Sequence, residues 1–159
     1  MTPPRLVLDI NVCLDLFVFG DAQCAALREA LHTGAVEAVT DASCRAEWLA
    51  VLAYPQLALD APRQAAAVAA FDAQLHQLLA TGRCSLADAP KLPRCRDPDD
   101  QKFLELAQAC GAQWLLSRDR ELLKLAGRTR RGHGFGILTP QAWAAAQVGS
   151  APGASAKPV

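Results

Sequence analysis

The stretch CRDPDDQKFLELAQACGAQWLLSRD, Cys95 to Asp119, decides the fold. Within it, Phe103, Leu104, Leu106 and Ala107 recur at helical offsets, beside polar Gln101, Lys102, Glu105 and Gln108. Gly111 stops the helix, and Trp114 to Ser117 is a short apolar run that suits a buried strand. An ~11-residue helix is ~16 Å long, close to a strand of about five residues, so the chain can descend and return within one layer. Acids stand at both ends of this unit. Asp97, Asp99 and Asp100 lead into the helix, and Asp119 follows the strand. If the strand runs parallel to its neighbours, both ends lie on the carboxyl edge of the sheet, where open α/β sheets place their sites.

Working outward, Arg5 to Asp9 reads as a first strand that closes on an acid, and Ala35 to Thr40 reads as a second. Asp21 to Gly34 forms a helix between them. Asp41 or Ser43 caps the next helix, which carries Glu47 in its early turns and an apolar face of Leu49, Val51 and Leu52. Asp60 to Gly82 is alanine-rich, with Pro62 near its start, and reads as one long helical insertion at about 60–82. Residues 83–96 contain Pro90 and Pro93 and read as a strand remnant and a loop. Beyond Asp119 come a short helix, a basic glycine-rich loop (Arg128 to Gly136), a last strand at Gly136 to Leu138, and a helix opened by Pro140. Strands alternating with helices predict one α/β/α domain over 1–148, a three-layer sandwich on a central parallel sheet. The stretch 149–159 has no core-forming pattern and is expected to be a disordered tail.

Sixteen basic and sixteen acidic side chains give no net charge, so attraction to a polyanion must come from a local patch or a bound cation. The six cysteines contain no C-x-x-C pair and sit in apolar segments, as expected of reduced core residues in a cytoplasmic protein. No run reaches the ~18 apolar residues of a membrane span, so no membrane partner is expected. The sequence also lacks the phosphate-binding glycine signatures of nucleotide-binding folds.

Four acids, Asp9, Glu47, Asp100 and Asp119, then converge from remote parts of the sequence on one edge. Carboxylates gathered in one pocket repel and raise one another's pKa, so such a cluster calls for a cation. An all-oxygen donor set suits Mg²⁺ or Mn²⁺, and an ion with open positions activates water for attack on a phosphoryl group. Each acid also has a plainer reading. Asp97-Pro98-Asp99-Asp100 is a good helix start, Asp119 can cap a helix, and Glu47 alone would be a solvated helix acid. Asp9 closes a buried strand and, on this reading, has no cap to serve.

Taken together, LVLDIN (Leu6 to Asn11), Glu47 within AEWLAVL, DPDDQKFLELA from Asp97, LLSRDRELL from Leu115 and ILTP from Ile137 resemble the PIN-domain (PilT N-terminus) family. The resemblance spans about residues 5–146 and is nearest to the branch of bacterial toxin–antitoxin ribonucleases. It implies a Rossmann-like fold, Mg²⁺- or Mn²⁺-dependent cleavage of RNA, a cognate antitoxin and a homodimer. Asp9, Glu47, Asp100 and Asp119 fall on the family's acidic positions as catalytic metal ligands, with Asp97 or Asp99 able to replace the third. Asn11 and Ser117 fall on orienting positions. Two departures stand out, Ile10 where the family usually has Thr and Arg118 where it often has Gly. Arg118, with Arg128, Arg130 and Arg131, is an expected RNA contact. The alternative expectation is a PIN module that binds RNA or an antitoxin without cutting.

Overall fold

The structure, a computed structural model, describes residues 2–78, 92–95 and 97–150, with side chains described as far as 147. Five strands, β1 (Arg5–Leu8), β2 (Glu37–Thr40), β3 (Leu75–Gln77), β4 (Trp114–Leu116) and β5 (Gly136–Leu138), form one sheet in the order β3-β2-β1-β4-β5. Every pairing is parallel. Leu6, Val7 and Leu8 are consecutive and all buried, which requires helices on both faces of β1.

The helices are α1 (Ile10–Leu14), α2 (Ala25–Thr33), α3 (Ala42–Leu52), α4 (Ala61–Gln74), α5 (Gln101–Cys110), α6 (Arg120–Leu123), α7 (Ala126–His133) and α8 (Pro140–Ser150). A π-helical turn, Asp15–Phe19, extends α1. Strand order reverses between β1 and β4, which makes their carboxyl ends the switch point of the sheet. Connections from β1 lead toward β2 and β3 on one side, while β4 and β5 lie on the other.

The deciding stretch folds as its pattern predicts. A 3₁₀ turn at Pro98–Asp100 leads into α5, and Gly111 ends the helix in the left-handed region (φ 68°), a conformation that suits glycine. Phe103, Leu104, Leu106 and Ala107 are buried, and the backbone then enters β4 beside β1 through the pairs Leu6–Trp114, Val7–Leu115 and Leu8–Leu116.

Three expectations are corrected. The 60–82 stretch is not one continuous helix. Helix α4 stops at Gln74, and Leu75–Gln77 is an edge strand on β2, with residues 79–82 outside the described residues. Alanine-rich propensity favours helix, but the open edge of β2 offers unpaired backbone groups, and Leu75 gains burial by joining it. The basic segment is a helix, α7, not a loop, and Gly134 is its C-cap. On α3 the buried stripe is Cys44, Trp48, Val51 and Leu52, while Leu49 stands off it and is exposed. Trp48 stacks on Phe71 with ring centroids 5.4 Å apart, which fixes the helix that carries Glu47.

The C-terminal helix continues through Ser150, past the boundary expected at 148, and residues 151–159 lie outside the described residues. Five cysteines, Cys13, Cys24, Cys44, Cys95 and Cys110, are free and buried. Among the described residues no single helix is long and apolar enough to cross a membrane.

Candidate active site

Asp9 leaves the end of β1 and is almost wholly buried. Its backbone N–H still donates to Leu116 O on β4, at 3.0 Å, so the residue is held in register with the neighbouring strand. The Asp9 carboxylate then has two partners. Oδ1 accepts from the Ile10 N–H at 2.7 Å, capping α1, and Oδ2 accepts from the Ser117 hydroxyl at 2.7 Å. The residue pattern does not reveal this cap. Burial raises the Asp9 pKa, against the lowering effect of Ser117 and Ile10, and the nearby Asp119 and Glu47 charges raise it further.

Ser117 leaves β4 fully buried, and its hydroxyl oxygen also accepts from the Asp119 N–H at 2.9 Å. One hydroxyl therefore joins the loops after β1 and β4. Asp119 caps α6, accepting from the Glu121 N–H at 2.8 Å, and is half-buried. Asp100, also half-buried, comes from the turn before α5 and reaches the same place. Its pKa is pushed up to about 7 by burial first, then by the Asp9 charge, a hydrogen bond with Asp119, and the charges of Asp97 and Asp119.

A cavity of about 410 Å³ opens here, and Asp9, Asn11, Glu47, Asp97, Asp99, Asp100 and Asp119 all line it. Topology thus gathers the acids of four separate segments in one cleft. Asp97 and Asp99 are exposed, and Asp97 caps the 3₁₀ turn by accepting from the Asp99 N–H at 2.9 Å. Leu14, Val51, Tyr54 and Leu57 form the apolar part of the wall, and Ile10 also contributes.

Glu47 reaches the cleft from α3 but is engaged by Lys102, whose ammonium donates to Glu47 Oε1 and to the Asp99 carbonyl at 2.9 Å. The residue pattern alone marks Lys102 only as part of the polar side of a helix. Helix α5 packs against α3, and position 102 lies about half a turn around from Asp100.

None of the four arginines lines this cavity. Arg118 Nε lies 2.7 Å from Asp15 Oδ2, an ion pair with a buried aspartate in the π turn. Arg130 stacks over Trp114, 4.5 Å from the ring centroid, at the start of β4 and so toward the sheet edge opposite the acids. Arg128 and Arg131 are exposed on α7.

Among the described residues no group of three His, Cys, Asp or Glu side chains is arranged to hold a metal ion as it stands. The donor chemistry nonetheless fits a hard divalent cation, because Asp9, Asp100 and Asp119 present carboxylate oxygens to one cleft, where the Asp9 and Asp119 charges raise the Asp100 pKa. Against known families, the family model described as PIN domain matches residues 5–121, which runs from β1 into the first turn of α6 and includes every acid of the cleft. No curated protein matches the chain.

Proposed function

This chain belongs to the PIN-domain family, and from that premise we propose that it is a Mg²⁺- or Mn²⁺-dependent endoribonuclease, the toxin of a toxin–antitoxin pair. PIN domains are generally nucleases and typically use divalent metals. One observation carries the reading to this site. Asp9, Asp100 and Asp119 meet at the carboxyl edge of the switch point, where Asp100 keeps a proton to about pH 7.

Asp9, Asp100 and Asp119 would hold the ion, with Glu47 at the wall of the cleft. When bound, such an ion supplies a hydroxide near neutral pH and neutralises charge on the phosphoryl group. The chain's own residues do the positioning. Ser117 fixes the Asp9 rotamer and the Asp119 backbone at once, and Asn11 lines the cleft where a water or phosphate oxygen enters. Arg128 and Arg131 contact RNA phosphates away from the cleft, supplying the local positive charge that a neutral chain otherwise lacks. The family resemblance implies products with 5′-phosphate and 3′-hydroxyl ends.

The antitoxin, the homodimer and the toxin role rest on the sequence resemblance. Binding of a small protein encoded beside this chain, with loss of cleavage, tests the first and third, and light scattering tests the second. A second reading is a PIN module that binds RNA without cutting, favoured by Ile10 in place of Thr and by a Glu47 already taken by Lys102. Cleavage of a mixed RNA pool with Mg²⁺, Mn²⁺ or EDTA separates the two. Metal-dependent products support the nuclease, and binding without products supports the module.

A further inference from the structure

We propose that Lys102 is a built-in cation that takes the place of a second divalent ion, holding Glu47 out of the metal's ligand set so that the cleft binds one ion. The proposal rests on the metal-dependent reading above. Four acidic residues from separate segments enter the cleft, yet they are not equivalent. Asp9, Asp100 and Asp119 face one cleft from three loops, and Ser117 ties the Asp9 and Asp119 loops together. Glu47 instead has a positive partner within hydrogen-bond reach.

The Lys102 ammonium is fixed from two sides, by the Glu47 carboxylate and by the Asp99 carbonyl. The two side chains are only 22% and 25% exposed, so water does little to loosen the pair. Asp99 belongs to the turn that presents Asp100, and Glu47 belongs to α3. Lys102 therefore ties the third acid's turn to the helix that carries the second acid. It does not line the cleft itself, so its effect on bound ions passes through Glu47. An ammonium bonded to a carboxylate repels a dication that would share that carboxylate, leaving the three aspartates to a single ion. Lys102 is thus a positioning residue, and its role appears in how many ions bind.

The test counts Mn²⁺ ions bound per chain, by electron paramagnetic resonance of the free ion, with circular dichroism confirming that each variant is folded. Wild-type protein is expected to bind one ion and Lys102→Arg one. Lys102→Met is expected to bind a second, weaker ion at the released Glu47. The charge-matched double variant Lys102→Met/Glu47→Gln is expected to return to one ion, with affinity within about threefold of wild type. A double variant that loses more than about tenfold, the scale of a disturbed ligand shell, would make Glu47 a ligand and overturn the proposal. Two ions in wild type, or one in folded Lys102→Met, would overturn it too. If Lys102→Met does not fold, the wild-type count and the double variant decide. No ion bound by wild type at all would instead remove the metal-dependent reading beneath it.

Discussion

The Ser117 hydroxyl donates to Asp9 Oδ2 at 2.7 Å across 108 residues of sequence, and the same oxygen receives the Asp119 N–H at 2.9 Å. Both loops of the switch point therefore hang on one buried atom. Ser117→Ala leaves the Asp119 N–H without its acceptor and Asp9 without its donor. Stability is expected to fall by about 1–3 kcal/mol, and Mn²⁺ affinity by about 10- to 100-fold. Urea denaturation and metal titration measure the two, and a variant that matched wild type in both would remove Ser117 from the site.

The acids set a pH dependence for the metal-free protein. Asp100 holds its proton to about 7, against 3.8 for the ordinary carboxyl, and the Asp9 and Asp15 pKa values are raised in the same direction. Between those values the folded state binds more protons than the unfolded chain, so stability falls as pH rises from about 4 to 7. A divalent ion replaces the proton, so Mg²⁺ should raise Tm more at pH 7.5 than at pH 5. Calorimetry at the two pH values, with and without Mg²⁺, checks this. Equal shifts would contradict it.

Arg118 has an ion-pair partner, which Arg128 and Arg131 do not have among the described residues. Asp15 is buried, and Arg118 holds its carboxyl against the rise that burial imposes. Arg118→Ala is expected to cost about 1–3 kcal/mol by leaving a buried acceptor unpaired. Asp15→Asn combined with it should cost less than the sum of the two single changes. Denaturant unfolding of the four proteins of the cycle gives the coupling. An Arg118→Ala protein of wild-type stability but weakened RNA binding would return Arg118 to the RNA-contacting set.

Arg128 and Arg131 are exposed on α7, and no ion pair holds either among the described residues. If they contact phosphates, Arg128→Ala/Arg131→Ala should flatten the salt dependence of RNA binding by about 1.4 in log–log slope, at about 0.7 per contact. Stability should not change. Fluorescence anisotropy across a salt series reads the slope, and an unchanged slope would place the RNA elsewhere.

Much of this architecture was legible in the sequence. Periodicity and stop signals marked α5 and β4, because Gly111 and the Asp97-Pro98 pair act locally and their physics is written in the residues themselves. The parallel order followed from alternation alone. Strand β3 was hidden because LHQ has no β-branched residue and continues an alanine-rich helix, so only the open edge of β2 reveals it. Helix α7 was hidden by its glycines and charges, which read as loop until Thr129 and Phe135 are seen buried against the rest of the fold. Asp9, Asp100 and Asp119 were visible as strand-end and helix-start acids. Lys102 was not, since its meaning depends on α3 lying beside α5, a contact between residues 55 apart in the chain.

The central claim is that the Asp9 cleft cuts RNA with a divalent ion. The most direct measurement is cleavage of a mixed RNA pool by wild-type and Asp9→Asn proteins, each with Mn²⁺ and with EDTA. Wild-type protein with Mn²⁺ alone is expected to yield products, and RNA is expected to stay intact in the other three reactions. Equal cleavage by folded Asp9→Asn, or products in EDTA, would contradict it.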